Sequence, residues 1–343
     1  MTRDIPHIDD LQPLTVDEHF KILLSSGEEL IDEKSTGDLT ISDLPEWFDE
    51  ELYRAGQQYY CSNVLGVSVA SLSGLVSVLA IPSILEVLVQ TKQSGTPCTA
   101  FKRYLETIFH TRVWYKADFK DKDSDWWKSL NTVRWKHSAA SQRSKKAGCG
   151  GITHRDMAFT QYGFIGSILI IPETLGLTNT HRDRDGINHV WRVLGHMLGI
   201  SDRLNICRKT EAETTELCKR LQIEVFGKYM REQSSQFLKM TEALLDGMWS
   251  IDVAIDKDAF LAFTYNLNDV PYQKPLGLYS LLNLKYREAA LWLCGAPYIG
   301  PIVRGYFNYL LDLNYWILRR WPVLAWLTFG KQESRINLYP KYE

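Results

Sequence analysis

Apolar and polar positions along the 343 residues recur mostly at three- and four-residue spacing, and alternation with a period of two is scarce. That is the pattern of helices rather than strands, and the predicted class is all-α. From Ala55 to Leu85 no residue carries a charge. Within this tract Val64–Leu85 spans 22 residues, long enough to cross a bilayer. Ser68, Ser71, Ser73 and Ser77 dilute it, however, and Pro82 breaks it, so it reads as a buried core helix. Gly66, Ala70 and Gly74, four apart, suit close helix packing. Further helices are predicted around Phe101–Thr107, from Trp126-Trp127 through Val133–His137, from a cap at Thr153 or Asp156 through Ile170, and after Thr180 with an apolar stripe at Ile187, Trp191, Leu194 and Leu198. Residues 211–250 read as one long helix whose weak points are Gly227 and Gly247. Pro271, Pro275, Pro297 and Pro301 punctuate the last third. Its aromatic end, Tyr306 to Leu327 around Arg319-Arg320, is either a final core helix or a segment lying on a membrane surface.

The same pattern suggests the organisation. Residues 1–44 are polar and form an arm with one helix at most, 45–330 form a single helical domain, and 331–343 are a tail. The body starts at Pro45, placed just inside a helix that begins after Ser42 or Asp43. With 45% hydrophobic residues, 11 Trp, 17 Tyr and 13 Phe, a large core is easily built. The formal charge is −2 and no basic tract interleaves with aromatics, which excludes a nucleic-acid pattern. Six scattered cysteines form no CxxC or CxxCH word, against a zinc site and covalently attached haem. The start shows no signal-peptide pattern, so a reducing intracellular setting is expected, in the cytoplasm or at the cytoplasmic face of the endoplasmic reticulum.

Candidate chemistry gathers between Phe101 and Phe164. Arg103, Glu106, Thr107 and His110 share one helical stripe: a cation, a carboxylate, a hydroxyl and an imidazole. Arg134 and His137 place a second cation and imidazole on one face of the next helix. Glu86 closes the uncharged tract, and a carboxylate there either meets a cation, stays protonated or reaches water at a helix end. His189, Arg192 and His196 form a further polar face, solvated in most helices but able to meet an anionic cofactor group in a core. A lone histidine or an ion pair three apart is usually structural; the apolar tracts on either side of these stripes make a wet position for both less plausible.

Taken together, Pro45-x-Trp47-x-Asp49, Gly56, Arg103-x-x-x-Thr107, Val133-Arg134-x-x-His137 and Trp191–Ile200 resemble the rubber oxygenase (latex-clearing protein) family and its relatives, the ER-bound mpaB-like oxygenases, over roughly Pro45 to Asn205. The resemblance implies a helical fold around a non-covalent haem b, with His137 as the iron ligand, Arg103 and Thr107 on the oxygen side, and Glu86 near the place of a proposed base. Arg134, Arg192 and His196 are then candidates to contact the cofactor. Glu106 stands where the family has a lysine, and His110, His154 and His196 rival His137 as ligand. The implied activity is oxidation or cleavage of a carbon–carbon double bond in a lipophilic, isoprenoid-like small molecule by dioxygen. The alternatives are a haem peroxygenase or peroxidase driven by peroxide, with Glu106 as its acid-base group, and a non-enzymatic helical carrier of lipid or haem. Peripheral membrane association is the expected relation to lipid.

Overall fold

The computed structural model describes residues 11–31, 37–177 and 180–342. Among them every extended element is α-helix, and β-pairing amounts to one isolated bridge, Leu30 with Thr153. The core is organised around the uncharged tract. It divides into α2 (Glu50–Ser62), α3 (Val64–Leu79) and α4 (Pro82–Thr91). Pro82 cannot continue the ladder of α3, and it starts α4 as its first residue. Val64, Val67, Val69, Ala70, Val76, Val78 and Leu79 are buried around much of the circumference of α3, as expected for a helix enclosed by neighbours.

Its principal partner is α7 (His154–Ile170), capped by Thr153, whose hydroxyl accepts from the Asp156 amide. The two meet at Gly74 and Gly163, where a Cβ on Gly74 would lie 1.7 Å from the Gly163 carbonyl oxygen. Glycine is what lets these backbones touch. Ser77, inside the core, is satisfied locally: it donates to the Ser73 carbonyl at 3.0 Å and accepts from Asn268 at 2.9 Å. No single helix among the described residues is long and apolar enough to cross a membrane. The one bent pair that passes by composition, α2 with α3, turns by 95° at its break.

Around this centre, α2 crosses α8 (His181–Met197), and α5 (Pro97–Lys116) and α6 (Asp125–Lys146) pack on each other as a helical hairpin. Then come α9 (Glu211–Leu221), a π-helical stretch at Gln222–Phe226, α10 (Gly227–Glu232), α11 (Ser235–Met248), α12 (Lys257–Leu267), α13 (Leu278–Gly295), α14 (Gly300–Arg320) and α15 (Val323–Phe329).

Two expectations need correcting. The body's first helix does not start near Pro45. Leu44 is extended, Pro45 leads a turn in which the Phe48 amide bonds its carbonyl at 2.9 Å, and Asp49 caps α2 by accepting from Leu52 at 3.0 Å. A residue preceding proline resists the helical region, which moves the start to the next capping carboxylate. The 211–250 helix breaks at neither glycine but at Gln233, in the left-handed conformation, with Ser234 capping α11. The described parts of both polar ends make contacts with the body. Helix α1 (Val16–Ser25) buries His19, Phe20 and Leu23 against the body, Gln12 donates to the Asn205 and Cys207 carbonyls, and Lys341 reaches back to Asp38. Residues 1–10 and 32–36 of the polar N-terminal stretch lie outside the described residues.

Candidate active site

The α5/α6 hairpin carries the site. Helix α5 starts at a capping box, Thr96 accepting from Thr99 at 3.3 Å with Pro97 behind it, and α6 starts where Ser124 accepts from Trp126 at 3.1 Å. The short charged connection between them makes the helices antiparallel neighbours, so residues early on α5 face residues late on α6. Two contacts fix the register: His110 Nδ1 with Ser129 Oγ at 2.8 Å, and Lys136 Nζ with Glu106 Oε2 at 2.7 Å.

That register brings Arg103, Glu106, Thr107 and His137 together. Nδ1 of His137 is enclosed and has no hydrogen-bond partner among the described residues. Burial, reinforced by the positive charges of Arg103, Arg134 and Lys136, pushes its imidazole down to about 4, so the ring is neutral at physiological pH. Arg103 forms no ion pair with a described residue, and its charge is therefore left to act on the interior of the hairpin. Thr107 donates to the Arg103 carbonyl at 3.0 Å, one turn back along α5.

Thr107 also lines an apolar cavity of about 120 Å³. Leu65, Leu72 and Leu75 of α3 form one wall. Stacked aromatic pairs, Tyr60 on Tyr115 at 4.2 Å and Phe164 on Trp191 at 4.7 Å, form another. The polar handles on this wall are used up inside it, since Trp191 Nε1 donates to the Tyr115 hydroxyl at 2.7 Å. Helix α5 thus turns two adjacent faces to two environments: Arg103 and Glu106 towards α6, and Tyr104, Ile108 and Thr111 towards the cavity. Thr107 lies at their boundary.

The remaining candidates are placed elsewhere. Glu86 is exposed, in a surface hollow with Tyr229, Glu232 and Gln236, and does not line the cavity that reaches Thr107. The buried positions of α4 are Ile84, Leu85, Val87 and Leu88, and Glu86 falls on the opposite side, the water-facing alternative for a carboxylate at this point. Arg134, Arg192 and His196, expected as cofactor contacts, each have a partner within the protein. Arg134 donates to the Met197 carbonyl at 2.6 Å, closing the C-terminus of α8. Arg192 is buried with its guanidinium 4.4 Å from the centre of the Trp47 ring. His196 meets the same ring edge-on and bonds Asp202 at 2.6 Å. His189, pushed down to about 4 by burial and the Arg192 charge, accepts from the Asp49 amide at 2.9 Å.

Among the rival ligands, His154 accepts from the Ser201 amide at 3.1 Å and His196 is held by Asp202, while His110 has Nδ1 engaged by Ser129 and its Nε2, like Nδ1 of His137, buried without a hydrogen-bond partner among the described residues. Lys136 and the cavity wall are additions to the sequence reading. Lys136 stands next to His137 in the chain, and its partner Glu106 could have been found by pairing the two predicted helices antiparallel. The wall comes from helices far apart in sequence and leaves no local word.

Comparison with known proteins identifies the family and the fold. Residues 59–277 match the catalytic domain of the ER-bound oxygenase mpaB/B′ and rubber oxygenase family, and the chain belongs to that family. The fold is similar to the structure of latex clearing protein LCP in the closed state, with a TM-score of 0.55 at 16% identity over 88% of this chain and 85% of that one. No curated protein sequence matches the chain.

Proposed function

We propose that this protein is a haem b-dependent oxygenase that oxidises or cleaves a carbon–carbon double bond of a lipophilic, isoprenoid-like molecule to carbonyl products, in the cytoplasm or at the cytoplasmic face of the endoplasmic reticulum. Family membership supports the reaction class, since the family is described by its oxygenases. The observation that carries the reading is His137, an enclosed neutral imidazole whose Nδ1 lacks a partner among the described residues while the Arg103 charge bears on it. Among the described residues no three His, Cys, Asp or Glu side chains converge to hold a bare metal ion. An iron held at His137 would therefore draw its other ligands from a macrocycle.

A haem held at His137 would supply iron for activating dioxygen. The protein's share follows from its own groups. His137 in its neutral form offers a ring-nitrogen lone pair to the metal, and burial keeps that form populated. Arg103 and Thr107 belong to the oxygen side. The first is a fixed cation where negative charge develops on oxygen, and the second is a hydroxyl that can turn from the Arg103 carbonyl to orient it. The cavity beyond Thr107 selects the substrate. Its volume of about 120 Å³ is close to that of a cavity that takes up benzene, so it admits a slender unsaturated chain rather than a fused ring system, and its apolar wall excludes water. Glu106 is the carboxylate on the Arg103 face, and the Lys136 ammonium holds it there as the acceptor or donor of a proton. This cation-and-carboxylate pairing also suits heterolysis of peroxide, which is the second reading.

An absorption spectrum of the purified protein tests the first step, and a strong Soret band is expected. Turnover of unsaturated terpenoids and lipids under labelled dioxygen tests the second, with label expected in the carbonyl products. A haem-free protein from haem-replete cells would overturn the proposal. Unlabelled products with full anaerobic activity on peroxide would leave the peroxygenase, and a Soret band without any turnover would leave a carrier.

A further inference from the structure

Eighteen of the twenty-nine large apolar side chains that stand exposed among the described residues lie between Leu278 and Leu327, on α13, α14, α15 and their connections. Single exposed apolar residues are ordinary, but a concentration of this kind marks a surface that something covers. On α14, Ile302, Tyr306, Tyr309, Leu313 and Trp316 recur at three- and four-residue intervals down one outward stripe. The stripe ends at Arg319, Arg320 and Trp321, with the Arg320 guanidinium 4.5 Å from the centre of the Trp316 ring. From Leu278 to Phe329 there are five Lys or Arg against two Asp or Glu, whereas the whole chain carries a net −2. One of those two carboxylates, Asp312, is neutralised by Arg112 at 2.6 Å and Lys116 at 2.8 Å.

The lining of the apolar cavity extends to this same face. Of its lining residues only Asp252 is exposed, and beside it stand Arg287 of α13 and Asn314 of α14, which donates to the Ile251 carbonyl at 3.1 Å. Asn283 of α13 donates to Ala254 at 2.7 Å, so the segment from Trp249 to Ala254 is pinned between the two helices. Trp249 and Val253 add exposed apolar side chains at the rim.

We propose that the outer face of α13, α14 and α15 docks this protein on an anionic membrane surface, with the mouth of the cavity turned to the acyl chains. Tryptophan and tyrosine beside arginine are the side chains that settle at the level of lipid headgroups, and an excess of cations adds attraction to acidic lipids. A second copy fits less well, since pairing this face with itself would set its cations against one another. An apolar cavity that opens through the same face is supplied from lipid without its occupant crossing water. That last role rests on the oxygenase reading; docking itself does not.

Flotation of the purified protein with vesicles of phosphatidylcholine alone, or with about one-third phosphatidylserine, is the test. The protein should float with the mixed vesicles, with tryptophan emission moving to shorter wavelength and quenched by lipids labelled near the headgroup. Ile302→Asp with Tyr309→Asp, both at exposed positions, should lower the bound fraction at least tenfold while circular dichroism and melting stay as in the parent. Arg319→Gln with Arg320→Gln should remove the preference for phosphatidylserine. Equal flotation of parent and the Asp variant, or no flotation of the parent, would overturn the proposal. So would a dimer that the Asp variant dissociates and that ignores vesicles, which would make the face a contact between copies. None of these readouts depends on haem or turnover, so they stand or fall apart from the oxygenase reading.

Discussion

His137, Glu106 and Glu86 are three titratable side chains with three different surroundings, and each surrounding sets a different expected outcome. His137→Ala removes a ring with an unpartnered buried nitrogen, on which the charges of Arg103, Arg134 and Lys136 bear. It should give folded protein that has lost its Soret band, whereas His110→Ala, which deletes a ring already bonded to Ser129 at 2.8 Å, should keep it. The converse result would move the ligand to His110. Glu106 and Lys136 are about one-quarter and one-third exposed, so Glu106→Gln should cost under about 1 kcal/mol of stability. As the proton-transfer group it should still slow turnover by about 100- to 10,000-fold. Glu86→Gln, on the surface, should leave stability within about 0.5 kcal/mol and turnover unchanged. The residue types of the site were legible because Arg103, Glu106 and Thr107 share a helical stripe and His137 stands three residues after Arg134. The environment of Glu86 was not, because a single carboxylate at the end of an apolar run satisfies the same pattern whether its helix turns it in or out. Nor did spacing show that Arg192 and His196 would spend themselves on Trp47, 145 and 149 residues earlier in the chain.

At the level of elements, the close crossing of α3 and α7 gives the sharpest test. A Cβ on Gly74 would meet the Gly163 oxygen, carbon and Cα within 2.7 Å. Backbone cannot move aside as a flexible side chain can, so Gly74→Val should cost about 3 kcal/mol or more, at the upper end of the overpacking range or beyond it. Gly95, with nothing within 4 Å of its would-be Cβ, serves as the control; Gly95→Ala should change the urea midpoint little. A midpoint for Gly74→Val equal to that of the parent would mean that the two helices are not in contact there. The small-residue stripe at Gly66, Ala70 and Gly74 announced such a crossing, and Pro82 announced the end of α3. The starts of α2 and α11 were less legible because several cap-forming residues compete in each region. Asp43 and Asp49 are equally good capping side chains, and the constraint of Pro45 on Leu44 decides between them.

The whole molecule encloses histidines in a way that no local pattern shows, because each is covered by segments remote in sequence. His19 lies under Arg208, about 190 residues away, and His189 against the turn that precedes α2. Burial is the first cause in each case, followed by a neighbouring cation: His19 and His110 are pushed down to about 3, and His189 to about 4. The consequence is a defined loss of stability in acid. At pH 7 these rings are neutral in both the folded and the unfolded chain, and they add no pH dependence. As pH falls below the unfolded value of about 6.5, the unfolded chain takes up protons that the folded one refuses until about pH 4 or 3. Folding therefore weakens through that window by up to about 1.4 kcal/mol per pH unit for each histidine, and the slope from these groups vanishes below it. Urea unfolding of the haem-free protein at pH 7.5, 6.0 and 5.0 should show a progressive fall. His189→Gln, which removes one of four such rings, His137 being the fourth, should be less sensitive to pH across the same interval even though it is less stable at pH 7.5 for want of the bond to Asp49. Parallel pH profiles for this variant and the parent would show that His189 takes up its proton as readily in the folded protein as in the unfolded chain, and that α2 and α8 do not close over it.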